Sequence, residues 1–199
     1  PAVSNTVMMN VFPLEPVSVG ITSSANPVCD GLPVIFTATG INGGILPAYQ
    51  WKVNGINAAG ATNATFSLNP LNNDIVSCSF TSNATCPTGS PAMSNMVTMT
   101  VNPLEPVGVS ILPSANPVCY GASVTFSASP VNGGALPAFQ WQLNGSAVSG
   151  ATDLTYSMTP VNNDAVACII TSNAFCPTGN PASSGTVVTI FSFSRKSAN

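Results

Sequence analysis

The chain has 199 residues, and only 5% of them are charged: Lys52, Arg195 and Lys196 against Glu15, Asp30, Asp74, Glu105, Asp153 and Asp164, with no histidine. Soluble domains usually carry about a quarter charged residues, but 45% hydrophobic content without a block of like charges does not describe a disordered chain. The absence of a basic patch removes the electrostatic term of nucleic-acid binding. No apolar run is long enough to cross a membrane as a helix, and without histidine neither a Ser-His-Asp nor a Cys-His arrangement exists.

The chain is internally repetitive. Residues 13–102 recur as 103–192 at a spacing of 90 without a gap, with 50 of 90 positions identical. Residues 1–12, PAVSNTVMMNVF, match PAMSNMVTMTVN at 91–102. They are expected to be the last strand of a preceding repeat or, alternatively, a donor strand for a neighbour. Residues 193–199 form a tail in which the pattern stops.

Within a repeat, Pro and Gly punctuate the chain about every ten residues and no stretch keeps a 3.6-residue period, so no helix is expected. Strands are expected in chain order at 17–22, 33–39, 48–53, 56–59, 64–69, 74–82 and 95–101, and again 90 residues later. Val34, Phe36 and Ala38 alternate on one face, as do Val76, Cys78 and Phe80. Asn54-Gly55 and Asn144-Gly145 are type I′ hairpin signals. Seven short strands, with a Trp on the third and a Cys on the sixth, predict an all-β fold of tandem immunoglobulin-like sandwiches. Trp51 and Trp141 then lie between the sheets; the competing reading, a carbohydrate-stacking platform, requires them exposed. Phe36, Phe126 and Phe80 join the core, with a Phe36–Phe80 contact where antibody domains place their disulfide.

Each repeat carries three cysteines, at 29, 78 and 86 and at 119, 168 and 176. With no histidine and no Cys-x-x-Cys pair, structural disulfides in an oxidising, extracellular setting are expected rather than zinc. Cys29 and Cys78 are placed at the same end of the sandwich, so the pairs expected are Cys29–Cys78 and Cys119–Cys168. Each closes a loop of about 50 residues, on the order of 4 kcal/mol in the chain-entropy account. Cys86 and Cys176 remain as free thiols or bridges to a neighbour. The alternative is a Cys29–Cys176 bond, which leaves Cys78 a buried thiol.

One polar constellation stands out, Asn72-Asn73-Asp74, repeated at Asn162-Asn163-Asp164. With Glu105 near the junction, Asp74 and Asp164 are weak calcium candidates, since hard cations take clustered oxygens. The plainer reading is a turn whose side chains bond their own backbone. Asn63, Asn83 and Asn144 fit the N-glycosylation pattern, which an Asn/Thr-rich chain meets by chance. No catalytic residue, cofactor or resident metal is expected.

The stretches PVCxGxxVxFxA, NGG, QW, NG, GAT, NND and TSNAxCxTG, present in both repeats, resemble the Ig-like or PKD-like repeats of large secreted surface proteins and adhesins of Bacteroidota-type bacteria. The resemblance implies an extracellular, non-catalytic stalk or adhesin module whose partners are neighbouring repeats of the same protein. A second reading is a filament subunit in which residues 1–12 complement an identical subunit. A third is ligand binding by the loop INGGILPA or VNGGALPA.

Overall fold

The computed structural model describes residues 1–191; the expected tail at 193–199 lies outside the described residues. The chain divides into two compact units, Pro1–Pro103 and Leu104 onward. The described residues contain no helix, and each unit is an immunoglobulin-like β-sandwich.

In the first unit the strands are β1 (Glu15–Pro16), β2 (Ser18–Ser23), β3 (Val28–Cys29), β4 (Val34–Ile41), β5 (Ala48–Val53), β6 (Ile56–Asn57), β7 (Thr65–Leu68), β8 (Ile75–Thr81), β9 (Pro87–Thr88), β10 (Ala92–Met93), β11 (Val97–Thr98) and β12 (Val101–Asn102). One sheet runs β2-β4-β7. The other runs β6-β5-β8, with β10 and β11 both on the outer edge of β8. Strand alternation explains the packing: Val34, Phe36 and Ala38 of β4 are buried, whereas Ile35, Thr37 and Thr39 between them are exposed. Asn54 and Gly55 both take positive φ (52° and 80°), as the type I′ turn between β5 and β6 requires.

The second unit repeats the plan with β13 (Glu105–Pro106), β14 (Gly108–Pro113), β15 (Val124–Val131), β16 (Ala138–Leu143), β17 (Ser146–Ala147), β18 (Thr155–Met158), β19 (Ala165–Thr171), β20 (Pro177–Thr178), β21 (Ala182–Ser183) and β22 (Val187–Val188). Its sheets are β14-β15-β18 and β17-β16-β19, with β21 and β22 on the edge of β19.

Trp51 and Trp141 are 0% exposed, so the stacking-platform reading falls and the core reading holds. A buried indole N–H needs an acceptor. Trp51 Nε1 donates to the Asn63 carbonyl (2.8 Å) and Trp141 Nε1 to the Asp153 carbonyl (2.9 Å). The Trp51 ring stacks on Phe66 at 5.6 Å and tilts against Phe36 at 6.2 Å.

Two expectations need correction. Among the described residues the Phe36–Phe80 pair is not a ring contact. Phe36 faces Trp51 and Phe66, while Phe80 sits at the far end of β8 against Tyr49 at 5.0 Å. Val76 and Cys78, not Phe80, are the β8 residues in the Trp51 cluster. Phe80 occupies room that glycine leaves: a Cβ on Gly40 would lie 2.2 Å from its Cζ. The second repeat makes the complementary change, with Pro130 and Ile170 at these two places. The final strand, expected as one piece over 95–101, is three. β10 and β11 pair antiparallel with β8, and β12 crosses to pair parallel with β3.

Gly40→Ala should therefore destabilise the first repeat by about 1–3 kcal/mol through overpacking, and adding Phe80→Ile should recover most of the loss. Urea unfolding of the single and double variants checks this; equal losses in both would show that Phe80 is not the obstacle.

Candidate functional site

The polar chemistry of each repeat gathers around the segment that closes the sandwich, and side-chain amides and hydroxyls supply it. In the first repeat Ser94 Oγ accepts the Cys78 N–H at 2.9 Å. Asn95 reaches across to the other sheet, where Oδ1 accepts the Ile21 N–H (2.8 Å) and Nδ2 donates to the Ile21 carbonyl (3.1 Å). Asn26 holds the next turn: Nδ2 donates to the Thr98 carbonyl and Oδ1 accepts the Thr100 N–H. Asn72 Oδ1 accepts the Val101 N–H at 3.0 Å. Between these clamps Met99 is fully buried. The second repeat keeps Ser184, Asn116 and Asn162 in the same roles. It has Gly185 where Asn95 stands and Thr189 where Met99 stands. None of these clamps was identified from sequence. The signal was there in the Asn of both SANPVC copies, but nothing local says which strand an Asn will bond.

Asp74 and Asp164 are engaged within their own repeats. Asp74 Oδ1 accepts from Asn54 Nδ2 and Oδ2 accepts the Leu71 N–H, both at 2.8 Å. Asp164 does the same with Asn144 (2.9 Å) and Val161 (2.8 Å). Each carboxylate ties the β-hairpin turn to the corner preceding β8 or β19, and Asn73 and Asn163 take φ of 70° in that corner. These are the bonds of a turn whose side chains hold nearby backbone, and among the described residues no three His, Cys, Asp or Glu side chains form a group that could hold a metal ion. Of the glycosylation-pattern residues, Asn83 and Asn144 already bond inside their repeat.

The loop 41–48 is built as a shared turn. Asn83 Oδ1 accepts the Leu46 N–H in the first repeat and Asn173 Oδ1 the Leu136 N–H in the second. Gly44 has a φ of 78°, and a Cβ there would lie 2.2 Å from Asn83 Oδ1, so only glycine fits. The tip residues Ile45, Leu46 and Leu136 are exposed.

The cysteines overturn the expected pairing. Cys78 and Cys168 are free and buried, Cys119 is free and exposed, and Cys86 is free and half-buried, so neither Cys29–Cys78 nor Cys119–Cys168 forms. Cys29 and Cys176 are each disulfide-bonded. The reason is strand alternation. Val28 and Val118 are buried, which turns Cys29 and Cys119 away from the core. Cys78 pairs with Trp51 across the sheet and faces inward. Burial pushes the Cys78 and Cys168 thiols up, and hydrogen bonds from the Gln50 and Gln140 backbone offset part of that shift.

No protein-family model matches this chain, and no curated protein matches it. Solved structures do. The three N-terminal domains of the bacteriophage RB49 Highly Immunogenic Outer Capsid protein (Hoc) share 12% identity at a TM-score of 0.41, over 88% of this chain and 59% of that one. The N-terminal eight Ig domains of Down Syndrome Cell Adhesion Molecule isoform 1.30.30 share 14% at 0.47, over 92% and 28%. Murine CEACAM1b shares 10% at 0.39, over 87% and 100%. At such identities and scores these likenesses carry no argument about what this chain binds.

A thiol reagent should titrate the native protein in three steps. Cys119 and Cys86 react first, and Cys78 and Cys168 follow only on unfolding. Cys29 and Cys176 react only after reduction. Because the folded pKa of Cys78 and Cys168 is raised, their contribution to stability is complete below the ordinary thiol pKa and is lost as pH rises through the raised one. Urea midpoints measured from neutral pH upward should fall, and Cys78→Ala/Cys168→Ala should flatten that fall. An unchanged slope in the variant would show that the buried thiols do not titrate this way.

Proposed function

We propose that the chain is a non-catalytic spacer and adhesion module of a large extracellular protein, of the kind strung in tandem on bacterial surfaces. The observation that carries this reading is the joint between the repeats. The Asn102 carbonyl accepts the Asp30 N–H within the first unit, and the Glu105 N–H donates to the Cys176 carbonyl within the second. Only Pro103 and Leu104 stand between those anchors. Prolines at 103 and 106 restrict φ and remove N–H donors, so the connection has little freedom to lose. Disulfide-bonded cysteines support an oxidising compartment outside the cell. Polar side chains are spent on the repeat's own backbone, which suits a module that carries load or spacing rather than one that transforms a substrate.

Small-angle scattering of the two-repeat protein should give a narrow distribution of interdomain distances, and about ten Gly/Ser residues inserted between Pro103 and Leu104 should broaden it. A parent distribution as broad as that of the insertion variant would defeat the spacer reading.

A further inference from the structure

Two cysteine places of the repeat are each filled once by a bonded cysteine and once by a free one. Cys29 is disulfide-bonded, whereas its counterpart Cys119 is free and exposed. Cys176 is disulfide-bonded, whereas its counterpart Cys86 is free and half-buried. The free member of each pair lies in the backbone setting of the bonded one. The Cys29 carbonyl accepts the Leu32 N–H at 3.2 Å, and the Cys119 carbonyl accepts the Ala122 N–H at 3.0 Å. The Cys86 carbonyl accepts the Glu15 N–H and the Cys176 carbonyl the Glu105 N–H, both at 2.8 Å. The local fold therefore does not decide which of them bonds. The two places also differ in position. Cys29 pairs with Asn102, and Cys119 follows Val118, which pairs with Phe191, so both lie where the chain leaves a repeat. Cys86 and Cys176 hold Glu15 and Glu105, where the chain enters one.

We infer that Cys119 of one copy of this chain and Cys86 of another are a complementary pair that joins copies through a disulfide. One bonded cysteine belongs to the exit place and one to the entry place, and Cys119 with Cys86 is the same combination. Tyr120, beside Cys119, is 87% exposed and meets Phe191 edge-on at 5.7 Å, which gives the exit an uncharged aromatic surface for a partner to cover. The oxidant is a small-molecule disulfide, RSSR. The Cys119 thiolate attacks one of its sulfurs, so that a Cys119–S–SR bond forms and RS⁻ leaves. The Cys86 thiolate then attacks the Cys119 sulfur, and the bond to SR breaks as the second RS⁻ leaves. Two electrons pass from the cysteines to RSSR, and the two thiol protons end on the two RS⁻. Because the paired thiols occupy different places on the chain, the contact is head-to-tail and extends in a line. The inference does not rest on the spacer reading, since a flexible joint would leave both thiols in place.

Native protein incubated at high concentration with oxidised glutathione should give a ladder on a non-reducing gel that collapses on reduction. Peptide mapping of the multimers should recover a Cys86–Cys119 link. Cys86→Ser and Cys119→Ser should each lose the ladder alone. Mixing the two variants should restore a dimer, because each then brings the thiol the other lacks. Multimers of Cys86→Ser alone, linked Cys119 to Cys119, would reveal an indiscriminate exposed thiol and overturn the inference. Glutathione adducts without multimers, or a Cys86–Cys119 link found only in monomer, would overturn it as well. Where a serine variant loses its fold, the mapped link in the parent protein decides by itself.

Discussion

One buried indole organises each repeat. Trp51 belongs to β5 in one sheet, yet its ring lies against Phe36 of β4 and Phe66 of β7 in the other. Its N–H finds the Asn63 carbonyl just before β7. The side chain is thus both the bulk between the sheets and a directional tie across them. An indole so buried, with its only donor satisfied, fixes the spacing and the lateral register of two sheets that share no ladder hydrogen bonds. Removing it would leave both a large cavity and an orphaned carbonyl, and such losses are of the order of a small domain's whole stability. Trp141, Phe126, Tyr156 and the Asp153 carbonyl repeat the arrangement.

Around that pin, a chain almost without charge relies on amides and hydroxyls. The closing segment is not a continuous ladder, so its backbone groups need other partners. Asn26, Asn72, Ser94 and Asn95 provide them in the first repeat, and no buried side-chain polar atom among the described residues lacks a partner. Neutral side chains pay no cost for desolvating a charge at half-buried positions. The two carboxylates that are drawn in, Asp74 and Asp164, each receive an Asn amide and a backbone N–H. Ser4, Asn5, Val7 and Met9 repeat the residue types of Ser94, Asn95, Val97 and Met99 in that closing segment.

The repeats also vary in ways that read as paired physical changes. Gly40 with Phe80 becomes Pro130 with Ile170, so a large ring over an empty backbone position is exchanged for a smaller side chain over a filled one. Asn95 with Met99 becomes Gly185 with Thr189, where a hydroxyl bonding the Val161 carbonyl stands in for thioether packing. The sandwich keeps its frame through both exchanges: Met99 belongs to the Trp51 cluster, but each Trp retains its aromatic neighbours, Phe36 and Phe66 or Phe126 and Tyr156.

Much of the fold was readable from residues alone. Alternation in VIFTA and IVSCSF gave the buried faces, Asn54-Gly55 gave a turn whose two positive φ values only a few residues accept, and the 90-residue self-match gave two copies of one domain. These are local or self-referential signals. What sequence could not supply was the destination of side chains that look alike along the strand. Cys29 follows Val28 by one residue, and with a side-chain period of two that single step turns it away from Cys78. Phe80 and Cys78 share a face of β8, but the register with β5 sets Cys78 opposite Trp51 and Phe80 opposite Tyr49, over the space at Gly40. The clamping asparagines are anonymous among many until strand pairing brings each to one backbone group. The sequence by itself determined an all-β repeat with a buried tryptophan. Only the tertiary structure decided which cysteines bond and which amides hold the closing strand, because the first depends on which way each strand faces and the second on register between segments some 70 residues apart.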